Sequence, residues 1–475
     1  MTARVLISIA VLSTAFGVPA VRGGGVFDLT SQAGADSIVT PNESGLSLLF
    51  GYSDTSPVVS SDAAPLAQQR DTAGEFAWRT TLSSGYDTYI QTYALALEDT
   101  TETISEFEMT LSAEGRTEGR ARHEWRVRPQ ISVGSERNRG RMEWGYAHRP
   151  DARRATLRLD GELQGTWYNR QSDYYLTSDS LEGRLKGRWT VSPDGRLAGE
   201  LRAWGSTLRY DTPSELEVDR NDGNVAAYLK AGRDARRNWR LGLRAGKRAY
   251  PDTTDIGRES LGAEFEYDHN AYLGPTGRLY HRTERRKIEN TAVRPSSWSH
   301  WTQAEAALPL SESGLRLAAE LGHESWRYDD TWGAYTDQTR WETHLRLEGG
   351  GVFGPAWQLG AAGESLSSDT EGESYRQLGA RGGLDHYGAA LSASLTLEIG
   401  QRDYDETEPE VGPGEVEELS LYSDFTYVEL WLMVGAELTA DLRLDVMASY
   451  LPESHTNDTD DQKMGFGTAR VVYRF

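Results

Sequence analysis

The chain contains no cysteine. That removes disulfides, thiolate metal sites and haem-attachment motifs from its repertoire. Lysine is scarce beside arginine, and the formal net charge of −22 repels nucleic acid and excludes it as a partner. Beyond the first twenty residues no run approaches the roughly eighteen apolar residues of a spanning helix. The nearest, Tyr427-Val-Glu-Leu-Trp-Leu-Met-Val434, is interrupted by Glu429. Catalytic motifs are missing too: there is no G-x-S-x-G elbow, and the nine histidines are scattered rather than set at metal-ligand spacing. Gly349-Gly-Gly-Val-Phe-Gly354 has the letters of a dinucleotide fingerprint, but Pro355 and a strand-like run follow where a helix is required. No enzyme and no cofactor are expected. His123, His300, His323 and His344 stay unassigned.

At the start of the chain, Arg4 precedes an apolar run from Val5 to Val18, and Val18-Pro19-Ala20 offers small residues for a signal peptidase. Residues 1–20 therefore read as a secretory signal, too short to span. Residues 21–75 are rich in Gly, Ser, Asp and Pro, with one short apolar patch from Leu46 to Phe50. They read as a flexible periplasmic lead-in or a short plug.

From 76 to 475 the dominant signal is alternation. In 154–167, Arg154, Thr156, Arg158, Asp160, Glu162, Gln164 and Thr166 interleave with Ala155, Leu157, Leu159, Gly161, Leu163, Gly165 and Trp167. In 182–191, Glu182, Arg184, Lys186, Arg188 and Thr190 interleave with Gly183, Leu185, Gly187, Trp189 and Val191. Segments 120–128, 236–248 and 340–348 read alike, less cleanly. Period two over this length is a strand with one face for lipid and one for a polar interior. A membrane protein without a spanning helix must close its sheet, because unpaired backbone in lipid is too costly. The expected fold is all-β: a transmembrane, antiparallel, up-and-down β-barrel of about 18–20 strands.

Short connections such as Ser192-Pro-Asp-Gly195 and Leu438-Thr-Ala-Asp441 alternate with longer acidic ones at 169–180, 211–223, 251–259, 328–338, 403–418 and 453–462. They match periplasmic turns and extracellular loops respectively. Clusters at Arg402–Glu410 and Asn457–Asp461 are oxygen-rich, yet no complete calcium loop is present. Solvated loop tips are the better reading. Trp167, Trp189, Trp239 and Tyr473 fall near strand ends on the outward face, where an interfacial girdle would sit. Tyr174, Tyr175, Trp332 and Tyr335 lie in loops and suit sugar stacking.

On the strands that can be phased, the inward face carries Arg120, Arg122, Arg126, Arg128, Arg154, Arg158, Arg184, Lys186, Arg188, Arg202, Arg240, Arg244, Arg248, Arg340 and Arg346. Acids on those faces are fewer: Glu124, Asp160, Glu162, Glu182, Glu200 and Glu342. A basic lumen follows, one that favours anions. Pairing of Arg with Glu along the wall accounts for part of the set.

The chain ends in Gly465-Phe-Gly-Thr-Ala-Arg-Val-Val-Tyr-Arg-Phe475, with Phe475, Tyr473, Val471 and Ala469 on one face. This ending resembles the C-terminal assembly signal of Gram-negative outer-membrane β-barrel channels. The resemblance implies insertion by the barrel assembly machinery into outer-membrane lipid and lipopolysaccharide, and a passive conduit without a cofactor. Size and arginine lining look like barrels that export acidic exopolysaccharide, as well as anion-selective porins. No helical repeat domain precedes the barrel, so an exporter would need a separate periplasmic partner. A sheath for a cytochrome wire, or a surface scaffold with a closed lumen, is the alternative.

Overall fold

Alternating residues need two different environments, and the chain supplies them by rolling one sheet into a cylinder. The computed structural model describes residues 76–474, except 96–97, 118–122, 152–154, 170–177, 193–195, 214–216, 235–236, 252–256, 272–273, 312–313, 332–334, 351–353, 371, 406–422 and 457–460. The strands of the first half are β1 (Phe76–Leu95), β2 (Glu98–Thr117), β3 (His123–Gly134), β4 (Arg137–Asp151), β5 (Ala155–Tyr168), β6 (Ser180–Val191), β7 (Leu197–Tyr210), β8 (Arg220–Asp234), β9 (Arg237–Ala249) and β10 (Arg258–Asn270). Those of the second are β11 (Thr276–Ile288), β12 (Ser297–Pro309), β13 (Arg316–Tyr328), β14 (Gln338–Gly350), β15 (Gly354–Ser368), β16 (Tyr375–Tyr387), β17 (Leu391–Tyr404), β18 (Phe425–Glu437), β19 (Leu442–His455) and β20 (Gln462–Arg474).

Each strand pairs antiparallel with its sequence neighbours, and β1 pairs with β20 from Thr81 opposite Arg474 to Tyr93 opposite Gln462. The 20-stranded sheet is closed, with no free edge along the barrel wall. The all-β, up-and-down barrel expected from the sequence is what forms. The signal and lead-in assigned to residues 1–75 lie outside the described residues.

The outer face is apolar and uncovered: Leu243, Leu261, Leu359 and Leu378 are each more than three-fifths exposed. In water such a surface would drive aggregation; in lipid it is the solvated face. Trp78, Trp125, Trp189, Trp239, Trp357 and Tyr473 stand on the outer face at the end where the carboxyl terminus lies. Trp167, Trp298 and Trp341 stand at the other end. Two aromatic girdles thus bracket the apolar band. His123, stacked on His148 at 4.4 Å, also faces outward, as do His300 and His323; His344 faces the lumen.

Two details depart from the sequence expectation. Short and long connections do not alternate throughout, because β1 passes into β2 after residues 96–97 and β3 into β4 after 135–136. The β1–β2 hairpin is 20 residues on each side, and β2 loses its β3 partner beyond Glu108, opposite Gly134. The hairpin outruns β3 on one side, while β20 follows β1 up to Tyr93 on the other. Strands β8 and β10 also begin earlier than the loops at 211–223 and 251–259 allowed. Arg220, Asp222 and Arg258 therefore belong to the wall.

The outer loops are tied by a recurring clasp. The last residue of a rising strand donates its N–H to an Asp side chain just ahead of the next strand. Tyr168 donates to Asp179 at 2.9 Å, Tyr210 to Asp219 at 2.8 Å, Tyr328 to Asp337 at 2.8 Å, Tyr404 to Asp424 at 2.7 Å and His455 to Asp461 at 2.7 Å. Ser296 and Ser374 do the same for Ile288 and Ser368. The following N–H then continues the ladder to the neighbouring hairpin, as from Asp329 to the Ser296 carbonyl at 2.9 Å and from Asp211 to the Asp179 carbonyl at 2.9 Å. Of the two acidic clusters read as solvated tips, Asp461 is structural; residues 406–410 and 457–460 lie outside the described residues. Replacing Asp337 with alanine should loosen its loop by about 1–2 kcal/mol. Faster amide exchange at 328–337, with the Asp219 loop unchanged, would be the readout.

Candidate functional site: the lumen and its outer mouth

Along much of the charged inward face, the backbone has placed a cation beside a carboxylate on the same or the next strand. Arg128 reaches Glu114 at 3.1 Å; Arg158 holds Asp160 at 2.8 Å; Arg184 holds Glu182 at 2.7 Å. Arg340 binds Glu364 at 2.9 Å and Arg346 binds Glu348 at 2.5 Å. Arg126 and Arg188 share this face, the latter 3.8 Å from Glu200. Arg120, Arg122, Arg154 and Phe475 lie outside the described residues. Arg137, Arg139 and Arg141 on β4 also line the lumen, although the sequence reading did not include them; their strict alternation was the available signal.

The basic surplus expected for the whole lumen is confined to one sector. Along β6–β11 the buried carboxylates Glu200 and Glu284 each serve several cations. Glu200, 5% exposed, faces Lys230 at 2.6 Å, Arg202, and Arg188. Glu284, 4% exposed, takes Arg286 at 2.8 Å, Arg244 at 3.7 Å and Arg282. Tyr228 is sandwiched between the guanidiniums of Arg202 at 4.6 Å and Arg240 at 5.1 Å, and Arg240 reaches Glu266 at 2.9 Å. Across β12–β19 the balance reverses. Glu305, Glu320, Glu324, Glu342, Glu398 and Glu429 line that wall among fewer arginines. The lumen therefore has a basic side and an acidic side. Fixed charges of opposite sign on the two sides set up a transverse field across the lumen.

At the outer mouth, aromatics gather on the lumen side. Tyr375 and Tyr404 meet at 5.5 Å, and Tyr328 and Tyr335 at 5.7 Å. The Arg402 guanidinium lies 4.1 Å from the Tyr375 ring and 5.2 Å from Phe425, and its Nε donates to Gln377 at 2.8 Å. Of the loop aromatics proposed for stacking, Tyr335 is in this cluster; Tyr174, Tyr175 and Trp332 lie outside the described residues. On the outer surface near the same end, Arg285 grips Asp329, its Nη1 2.7 Å from Oδ1. That hydrogen bond holds the Asp329 carboxyl below its ordinary range.

A closed sheet with an apolar exterior, two aromatic girdles and a charged, polar interior defines an outer-membrane β-barrel. No protein-family model and no curated protein sequence matches the chain. Among solved structures, it is similar to the copper transporter OprC (TM-score 0.51, 12% identity, covering 86% of this chain and 81% of that one). It is also similar to the siderophore receptor PirA from Pseudomonas aeruginosa (TM-score 0.50, 10% identity, 85% and 81%). A third is the FrpB iron transporter of Neisseria meningitidis, F5-1 variant (TM-score 0.52, 8% identity, 84% and 81%). At these identities the likeness is one of fold.

Proposed function

We propose that the protein carries polar solutes bearing anionic groups across the outer membrane through the barrel lumen. The observation behind this reading is the division of charge across the lumen, with cations in excess on β6–β11 and carboxylates prominent on β12–β19. An anion is drawn to the first wall and pushed from the second, so it has a defined path with little penalty for leaving bulk water. The similar structures include a copper transporter, a siderophore receptor and an iron transporter, and solute transport fits the same architecture here. An acidic exopolysaccharide is the extended form of such a solute, and its export would call for a periplasmic partner. The conduit is passive, takes no cofactor and carries no catalytic step. Lipid and lipopolysaccharide surround its outer face, and the barrel assembly machinery inserts it.

Conductance of the refolded full chain in a planar bilayer, with reversal potential under a salt gradient, tests the reading. An open pore that prefers anions is expected. The preference should fall in the Arg184→Ala, Arg188→Ala double variant and rise in Glu342→Gln, Glu429→Gln. A closed barrel, or a cation preference that neither pair alters, would sink transport of anions. The closed result would favour a sheath or scaffold for a partner complex.

A further inference from the structure

One arginine of the basic wall stands apart. Arg258 opens β10 at the outer mouth, on the lumen side, directly opposite Arg248 on β9 and two places from the position facing Arg286 on β11. It is half-buried, and among the described residues it has no carboxylate or other hydrogen-bond partner. Its neighbours are occupied. Arg248 holds Asp222 at 2.6 Å, and Arg220 takes the other oxygen of that carboxylate at 3.1 Å. Arg286 is bound to Glu284 at 2.8 Å and lies 4.5 Å over the Trp326 ring. Arg294 lies 5.5 Å over Tyr335. Arg248, Arg286 and Arg294 all press on Arg258 with like charge.

The surroundings are built rather than loose. Residues 289–296 fold into a turn in which Asn290 Oδ1 accepts from the Ala292 N–H at 3.1 Å and the Asn290 carbonyl from Arg294 at 3.3 Å. Pro295 is fully buried beneath it, and Ser296 closes the turn on Ile288. Arg294 is thereby carried on a fixed segment, and Trp326 and Tyr335 steer two of the guanidiniums by stacking. Like charges held this close cost stability unless a counter-charge arrives.

We propose that Arg258, with Arg248, Arg286 and Arg294 around it, forms an oxyanion site at the outer mouth of the lumen. Its ligand is a carboxylate or phosphate group on a soluble polyanion. The free fork of Arg258 makes the bidentate contact, and the other three supply field and secondary donors. The site deepens the transport reading and rests on it for the ligand's route, since it would be where an anion is first held on the way to the basic wall.

The test uses the full chain purified in detergent at low salt, titrated calorimetrically with citrate and with inorganic phosphate. Wild type should bind citrate more tightly than phosphate. Arg258→Gln should weaken citrate by roughly tenfold or more, the usual effect of losing a charge-assisted contact. A thermal scan guards against misfolding: the variant, relieved of repulsion, should melt no lower than wild type without anion and lose the rise in midpoint that citrate gives wild type. Equal citrate affinity in the two proteins, or no binding by wild type, overturns the site. Lipopolysaccharide added to the sample separates the sources: if it displaces citrate in an Arg258-dependent manner, the oxyanion is a lipid phosphate and the soluble-ligand proposal fails. Citrate binding lost in Arg258→Gln alongside a closed pore would keep the site and sink transport. An anion-selective pore with equal binding in both proteins would do the reverse.

Discussion

Glu200→Gln is expected to destabilise the barrel by about 3 kcal/mol, far more than any single arginine replacement on the same wall. The Glu200 side chain is almost sealed from water, and it is the shared counter-ion of Arg202, of Lys230 at 2.6 Å and of Arg188 at 3.8 Å. Those three cations come from β6, β7 and β8, so one carboxylate ties together three strands. Glutamine keeps the shape and one acceptor but removes the charge. Three ammonium and guanidinium groups are then left to repel one another beside a half-sealed pocket, where water screens them incompletely. Arg158→Gln is the contrast. Arg158 is about half exposed and bound to Asp160 within its own strand, an arrangement worth at most about 1 kcal/mol. Urea unfolding from lipid vesicles, followed by tryptophan fluorescence, compares the two. Glu200→Gln unfolding within about 0.5 kcal/mol of wild type would mean that lumen water, and not this carboxylate, compensates the cations. The same variant should also strengthen any anion preference, because it deepens the positive field along β6–β11.

The contrast between the walls also explains what the sequence could and could not reveal. Strands β5 and β6 were legible because their faces differ sharply: Leu163, Leu185 and Trp189 meet lipid while Arg158, Glu182 and Arg184 meet water. Strand β18 hides its phase, since Phe425, Tyr427, Trp431 and Met433 face inward and apolar residues occupy both sides. On β12, Trp298 faces out and Trp301 in, which masks the period again. Acids that balance the lumen sit on such poorly phased strands, among them Glu284, Glu320 and Glu364. Counting only the well-phased strands therefore overstated the basic surplus. Arg258 is hidden for a different reason: Pro251, Asp252 and Asp255 make 251–259 read as a loop. The clasps were within reach. Tyr210-Asp211, Tyr328-Asp329 and Tyr404-Asp405 repeat one dipeptide at the top of rising strands, each followed by a second aspartate before the next strand.

The C-terminal strand supplies the other large effect. Deleting Tyr473 to Phe475 is expected to remove nearly all folded protein from the outer membrane. Strand β20 is the closing strand, paired to β19 on one side and β1 on the other. Tyr473 sits on the outer face between Leu82 and Leu442, at the girdle level where a ring bridges lipid and water. Loss of this end leaves Thr81 and Leu82 of β1 and Leu442 of β19 without their β20 partners, and each bare N–H or C=O in lipid costs several kcal/mol. Stability and targeting are separable by a milder change. Phe475→Ala leaves every ladder position up to Arg474 in place, so refolding into vesicles should match wild type. If the terminal aromatic is an assembly signal, the same variant should reach the outer membrane poorly in cells, read as a smaller heat-modifiable band in that fraction. Equal bands for Phe475→Ala and wild type would strip the terminal aromatic of a targeting role. The effect of the deletion would then belong to barrel closure alone.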